Sequence, residues 1–164
     1  MRISDVRHIK PEDLLLIKII ADVQLPPDGG RVAYSLTEVD FENDDYTTSI
    51  FVVPSQGGES TQLTKGSRKE TAPRWSPDGK KLAFLSDRDG KTPQLYVMPA
   101  GGGEARNLTS LENGAGPAVW SPDGKWILFA ATGDNARTGM VIGWQDGYLP
   151  GCGCRKHPSR SGGS

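Results

Sequence analysis

The stretch that decides the fold is residues 71–109, TAPRWSPDGKKLAFLSDRDGKTPQLYVMPAGGGEARNLT. Its apolar runs are too short for helices and are bounded by Gly, Pro and Asp, a pattern typical of β-strands joined by turns. The tetrapeptide Ser76-Pro77-Asp78-Gly79 has the residues of a tight turn, since Pro presets φ and Gly accepts a positive φ. The stretch therefore predicts an antiparallel meander of four strands, at 72–76, 82–85, 95–98 and 104–109.

Copies of this unit occur on both sides. The motif Trp75 to Gly79 recurs as Trp120 to Gly124, at an offset of 45 residues. Upstream, IFVVP at 50–54 matches LYVMP at 95–99 with the same offset. A period of about 40 to 45 residues with four strands in each copy is typical of β-propeller blades. The repeated motif residues are predicted to be structural, and they are Trp75, Ser76, Pro77, Asp78, Gly79, Trp120, Ser121, Pro122, Asp123 and Gly124.

The repeats predict the organisation of the whole chain. The fold class is all-β, an incomplete β-propeller of about two and a half four-stranded antiparallel blades preceded by a short N-terminal helix over 11–20. The first copy carries five extra residues, because Pro27-Asp28-Gly29 lies 50 residues before the equivalent turn, and we expect them in a loop over 38–48. The predicted divisions are 1–22 for the N-terminal segment, 23–64, 71–109 and 116–132 for the blades, and 133–164 for an irregular tail.

Composition excludes several classes of function. The 19 basic and 20 acidic residues are interspersed, which argues against binding to nucleic acid or to an anionic membrane surface. The longest apolar run, 14–21, contains Lys18 and is too short for a membrane span or a signal-peptide core. We therefore expect a cytoplasmic protein. The two cysteines, Cys152 and Cys154, lie outside the repeats, so no disulfide framework is predicted.

Two clusters contain residue types that bind metals. An acidic group at 38–48 lacks the spacing and the fixed glycine of a calcium loop, so we expect a solvated loop; its members are Asp40, Glu42, Asp44 and Asp45. Cys152, Cys154 and His157 lie within six residues without an ordered fourth ligand, which favours an incidental cluster over a metal site. No metal and no cofactor are predicted, although the sequence leaves metal binding by the cysteine cluster open.

Catalytic residues are not predicted either. A Ser-His-Asp site needs a histidine within hydrogen-bond reach of an activated serine. The two histidines, His8 and His157, lie in the N-terminal segment and in the tail, and no Gly-x-Ser-x-Gly motif occurs. Trp75 and Trp120 occupy equivalent positions, and we interpret them as filling the space between neighbouring blades rather than as stacking on a ligand.

The repeat at 74–88, RWSPDGKKLAFLSDR, resembles the WD40-like PD40 blades of two groups. One is the prolyl-oligopeptidase family of serine peptidases, S9, and the other is TolB. The segments 9–14, 31–34, 43–46 and 50–54 resemble the start of bacterial acylaminoacyl peptidases, which favours the first group. TolB carries an export signal, and we do not expect one in this sequence.

The resemblance covers about residues 9–132. It implies a propeller that precedes an α/β-hydrolase domain, caps its active site and restricts access to short peptides. The catalytic triad of that family belongs to the hydrolase domain, so no residue here takes a catalytic role. The resemblance thus implies the N-terminal propeller part of a peptidase, inactive on its own, with the hydrolase domain and short peptides as partners of an intact parent. The alternative is a TolB-like module for protein–protein interaction.

The tail leads to a further hypothesis. Periodicity stops at about residue 133 and gives way to Gly, Arg, Ser and Cys, as out-of-frame translation of a GC-rich gene tends to produce. We therefore expect a frameshifted or truncated gene product, with a genuine small binding protein as the alternative. In both cases open blade edges predict marginal stability and self-association.

Overall fold

A computed structural model describes residues 8–65, 69–90, 92–132 and 138–140. Within these residues the chain has one short 3-10 helix, Pro11–Leu16, and twelve strands. The strands are β1 (Ile19–Gln24), β2 (Arg31–Asp40), β3 (Asp45–Pro54), β4 (Thr61–Gln62), β5 (Glu70–Trp75), β6 (Lys81–Ser86), β7 (Gln94–Pro99), β8 (Arg106–Asn107), β9 (Val119–Trp120), β10 (Ile127–Leu128), β11 (Ala130–Thr132) and β12 (Thr138–Met140).

The strands form repeated antiparallel sheets. Strands β1 to β4 pair in sequence order and make the first blade, and β5 to β8 do the same in the second blade. In the third unit β9 pairs with β10, and β11 pairs with β12. The predicted all-β class and the four-stranded antiparallel blades are confirmed.

A threonine hydroxyl closes the outer strand of each complete blade. The amide of Ile50 donates to Thr64 Oγ1 at 2.8 Å, and the equivalent amide of Leu95 donates to Thr109 Oγ1 at 2.9 Å. Strands β4 and β8 are two residues long, so these side-chain bonds supply pairing that the short ladders lack. Leu63-Thr64 and Leu108-Thr109 form a Leu-Thr ending that repeats at the 45-residue offset, and this ending closes each complete blade.

The core lies between neighbouring sheets. Successive side chains of a strand point to opposite faces, so β6 sends Leu82 and Phe84 to one side and Ala83 and Leu85 to the other. Leu82 and Phe84 pack in a cluster with Ile50 and other residues of the first blade. Ala83 and Leu85 pack in a second cluster with buried residues of the third unit, which are Ala115, Ala118, Ile127 and Phe129.

The predicted N-terminal helix over 11–20 is wrong beyond one short turn. Pro11–Leu16 forms a 3-10 helix in which no residue is buried, and Ile17 already has extended backbone angles. Asp13 accepts the amide of Lys10 at 2.9 Å, which holds the turn. Ile19 and Ile20 instead pair with β2. A helix of this length has little stability of its own, so the ladder to β2 prevails over the apolar helical pattern.

The loop predicted over 38–48 is a hairpin. Strands β2 and β3 are ten residues each, against six for β6 and β7, and their register continues to the pair Asp40 and Asp45. The hydroxyls of Thr37 and Thr48 bond across the pair at 2.9 Å. Asp40 accepts the amide and the side-chain Nδ2 of Asn43, at 3.2 and 2.8 Å. The extra residues therefore lengthen two strands.

Two strands lie partly or wholly outside the segments predicted to be blades. Strand β1 begins at Ile19, four residues before the predicted start of the first blade at 23. Strand β12 lies within the segment 133–164 that was predicted to be irregular, and it pairs with β11. Cys152, Cys154 and His157 lie outside the described residues.

Candidate functional site: the turn edge of the blades

The repeated Ser-Pro-Asp-Gly motif forms a hydrogen-bonded clasp between the first and second strands of a blade. Ser76 Oγ donates to Asp78 Oδ1 at 2.6 Å and accepts the amide of Lys81 at 2.9 Å. Asp78 Oδ1 also accepts the amide of Lys80 at 3.1 Å. Gly79 takes a φ of 66°, the left-handed conformation that glycine adopts without a Cβ penalty. The bond from Ser76, followed by that from Lys80, lowers the pKa of the Asp78 carboxyl.

The third unit repeats the clasp. Ser121 Oγ donates to Asp123 Oδ1 at 2.5 Å and accepts the amide of Trp126 at 2.9 Å. The amide of Lys125 donates to the same Asp123 oxygen at 3.1 Å. The bond from Ser121, followed by that from Lys125, lowers the pKa of the Asp123 carboxyl.

The first blade has a weaker version of this turn. Pro26 stands where the other turns have serine, so the hydroxyl bonds cannot form. Two bonds remain: the amide of Gly29 donates to the Pro26 carbonyl, and the amide of Gly30 donates to Asp28 Oδ1, both at 3.0 Å.

The two tryptophans of the motif tie each unit to the one before it. Trp75 Nε1–H donates to the carbonyl of Gln24 at 3.2 Å, and Trp120 Nε1–H donates to the carbonyl of Arg74 at 3.0 Å. Gln24 and Arg74 are equivalent residues of β1 and β5 at the 50-residue offset. Each indole therefore bonds the first strand of the preceding blade at the same position.

A basic residue accompanies each tryptophan. The guanidinium of Arg31 lies 4.9 Å from the centre of the Trp75 ring and donates to the carbonyls of Ala100 and Gly79, at 3.0 and 3.4 Å. The residue equivalent to Arg31 in the second blade is Lys81.

The second and third turns border an open pocket of about 270 Å³ beside Lys81. Its lining consists of Ser76, Pro77, Asp78, Lys81, Trp120, Pro122, Asp123 and Gly124.

The structure thus brings seven of the ten motif residues together around this pocket. Ser76 and Ser121 donate their hydroxyl protons to carboxylates, and a lowered carboxyl pKa makes Asp78 and Asp123 weak proton acceptors. The histidine of the described part of the chain, His8, is exposed in the N-terminal segment. This arrangement locks turns and does not resemble a nucleophile–base pair. Across the described residues no group of three or more His, Cys, Asp and Glu side chains is placed to hold a metal ion.

The opposite edge of the second blade contains a charged cluster that sequence reasoning missed. Glu70 is buried and forms an ion pair with Arg88 through Oε1, while its Oε2 has no hydrogen-bond partner. The Arg88 guanidinium lies 4.8 Å from the ring centre of Tyr96 and 5.4 Å from that of Phe84. Burial, and then a hydrogen bond to Asp89, raise the pKa of Tyr96.

One feature of the sequence could have indicated this cluster, namely that Arg88 departs from the repeat. Arg88 lies in the loop 87–90, a turn in which the amide of Gly90 bonds the carbonyl of Asp87 at 3.0 Å. The equivalent position of the first blade is Glu38, so the arginine is not part of the repeat. A charged residue that departs from the repeat at a strand end was the available clue.

Within the described residues, the chain contains no helix of the length and apolarity needed to cross a membrane.

The chain matches one protein family and is similar in sequence to known peptidases. Residues 22–146 match the family described as PD40, TolB beta propeller domain, and the match extends into the predicted tail. The chain is 46% identical to the uncharacterized peptidase YuxL of Bacillus subtilis over 82 residues. These residues cover 50% of this chain and 12% of that protein. It is 35% identical to dipeptidyl-peptidase 5 of Porphyromonas gingivalis over 83 residues, and the alignment covers 51% of this chain and 12% of that protein. The matched segment spans about an eighth of these relatives.

Solved structures show the same fold. The acylaminoacyl peptidase of Pyrococcus horikoshii superposes with a TM-score of 0.60 at 24% identity, over 72% of this chain and 18% of that chain. A TolB structure from Agrobacterium tumefaciens gives a TM-score of 0.60 at 28% identity, over 74% of this chain and 42% of that chain.

Proposed function

Because this chain belongs to the PD40 family of TolB-type β-propeller domains, we propose that it is the N-terminal propeller part of a serine peptidase of the prolyl-oligopeptidase family, S9. One observation carries the proposal: two curated relatives are peptidases, with identities of 46% over 82 residues and 35% over 83 residues. In this role the blades stand over an α/β-hydrolase domain and admit short peptides to its active site.

The chain itself supplies positioning and no catalysis in this proposal. The motif serines are engaged in turn clasps, and the sequence has no Gly-x-Ser-x-Gly motif. The partners are therefore the hydrolase domain and short acylated or free-amino peptides, with no cofactor. We place the protein in the cytoplasm, which fractionation of cells that express the tagged chain would test.

A segment exchange tests the proposal. The 83-residue segment of the Porphyromonas gingivalis dipeptidyl-peptidase 5 that matches this chain is replaced by the corresponding segment of this chain. We expect the chimera to fold and to release dipeptides from short chromogenic peptides, because equivalent blades keep the same inter-blade bonds. A folded chimera without activity, or one that cleaves long and short peptides equally, would contradict the proposed role.

Two controls accompany the exchange. The equivalent segment of the Agrobacterium tumefaciens TolB is placed in the same enzyme, and we expect this chimera to lose activity. The isolated 164-residue chain is treated with a fluorophosphonate that labels activated serines, and we expect no labelling.

The second candidate function is a TolB-like module for protein–protein interaction. The 28% identity over 74% of this chain to the Agrobacterium TolB favours it. If the TolB segment supports peptidase activity as well as the segment of this chain does, the exchange does not favour the peptidase function. A reciprocal exchange into TolB that preserves TolB function would then support the interaction module.

A further inference from the structure

One face of the first blade has the composition of an inter-blade contact and lacks a neighbouring blade in the described chain. We call it the leading face, and it consists of Leu25, Val32, Tyr34, Phe51 and Val53. At the repeat offsets these residues correspond to Trp75, Leu82, Phe84, Tyr96 and Met98. Those five residues of the second blade are 8% exposed or less, because they pack against the first blade. By contrast Leu25 is 61% exposed, and the other four members of the leading face are half-buried.

The leading face is already formed in the geometry of a packed interface. The rings of Tyr34 and Phe51 stack with centroids 5.8 Å apart and planes at 17°. The equivalent rings of Phe84 and Tyr96 stack with centroids 5.7 Å apart and planes at 24°. The second pair is buried in the contact between blades, so a partner blade would find the first pair in its bound arrangement.

The matching surface lies at the other end of the chain. In the second blade, Ala83 and Leu85 face the third unit and are buried. Their equivalents in the third unit are Leu128 and Ala130, at the 45-residue offset. Leu128 is 43% exposed, and Ala130 is exposed as well. We call this pair the trailing face.

We propose that the leading face binds the trailing face of a second copy of this chain, head to tail. The internal repeat identifies this partner. Surfaces equivalent to the leading face and to the trailing face already pack together twice within one molecule, where the first unit meets the second and where the second meets the third. A head-to-tail contact is heterologous, so every open assembly keeps one free leading face and one free trailing face until a ring closes. This proposal goes beyond the proposed function, and it concerns the 164-residue chain as it stands.

Sedimentation velocity over a concentration series tests the contact with two charged variants. Phe51→Lys places an ammonium group on the leading face, and Leu128→Lys does so on the trailing face. Phe41→Lys is the matched control, because Phe41 is 76% exposed at the hairpin tip of the same blade. We expect the wild-type chain and the control to associate with increasing concentration, and each face variant to associate at least roughly tenfold more weakly.

Mixing the two variants identifies the mode of contact. Phe51→Lys keeps an intact trailing face and Leu128→Lys keeps an intact leading face, so an equimolar mixture should form a heterodimer and stop there. A wild-type chain that stays monomeric, face variants that associate like wild type, or a mixture without the heterodimer would each overturn the proposal. Near-UV circular dichroism checks folding, and if Phe51→Lys does not fold, an unchanged Leu128→Lys overturns the proposal by itself. The segment exchange depends on neither variant, so it can fail or succeed separately.

Discussion

The first and second blades have the same strand order and the same closing bonds, yet they differ in how much of each is buried. The stacked pair Tyr34 and Phe51 has nearly the geometry of Phe84 and Tyr96, with centroid distances of 5.8 and 5.7 Å. The second pair is buried because it packs against the first blade. The comparison teaches that a blade sets its geometry internally, whereas its stability comes from adjacent blades.

The largest expected effect tests this difference at the aromatic pair. Phe84→Ala should lower the free energy of unfolding by about 3–5 kcal/mol, since the side chain is fully buried between two blades. The equivalent change in the first blade, Tyr34→Ala, should cost no more than about 2 kcal/mol, because its ring is half-buried. Urea unfolding at one fixed protein concentration measures both, and equal losses would show that the neighbour does not determine stability.

The second prediction compares two ion pairs that share one equivalent position in the first and second blades. Arg88→Ala should cost about 3 kcal/mol, because it leaves the Glu70 carboxylate buried without a counter-ion. Glu38, which occupies the position of Arg88 in the first blade, pairs with Lys18, and both side chains are exposed. Lys18→Ala should therefore cost less than about 1 kcal/mol. Thermal melts with and without 1 M NaCl (about a 3 Å Debye length) separate the two, since salt should weaken the exposed pair alone.

The third prediction concerns the turn clasp and its pH dependence. Ser76→Ala should cost about 1 kcal/mol at neutral pH, because the hydroxyl bonds to Asp78 and Lys81 are lost. The lowered pKa of Asp78 means that its ionised form stabilises the fold above the ordinary carboxyl value of about 3.9. That contribution disappears as the pH falls through the lower folded value. The difference in stability between wild type and variant should thus shrink below about pH 3.9, and a difference independent of pH would contradict this account.

The smallest expected effect comes from restoring the clasp in the first blade. Pro26→Ser supplies the missing hydroxyl, and a hydrogen bond adds about 0.5–1.5 kcal/mol. Loss of proline increases the conformational freedom of the unfolded chain, which removes about 0.4–1 kcal/mol. We expect a net gain of about 0.5 kcal/mol or less. Chemical denaturation of Pro26→Ser beside Ser76→Ala measures it, and a clear loss would mean that the first turn does not adopt the clasped geometry.

Repeat offsets in the sequence were sufficient to predict the blades, because turn residues and the Leu-Thr ending act within one blade. The N-terminal strand could not be predicted in this way. The run 14–20 has no alternation, and its extended form depends on pairing with β2. Likewise the acidic residues near Asp40 indicated a loop, although a hairpin that projects into water tolerates charged residues on its strands.

The repeat indicates which residues stand at equivalent turns, whereas the contacts of these residues could not be predicted from it. Trp75 and Trp120 are visible as repeats, but their carbonyl partners depend on how one sheet is placed against the next. The pairing of Glu70 with Arg88 joins two strand ends 18 residues apart and occurs in one blade, so no periodicity signals it.

The threonine closure has an evolutionary consequence. Each of these bonds joins residues 14 positions apart, from Ile50 to Thr64 and from Leu95 to Thr109, and both partners belong to one blade. A DNA segment that encodes one period therefore also encodes the threonine that closes the blade. Tandem duplication of this segment copies a blade together with its closing bond.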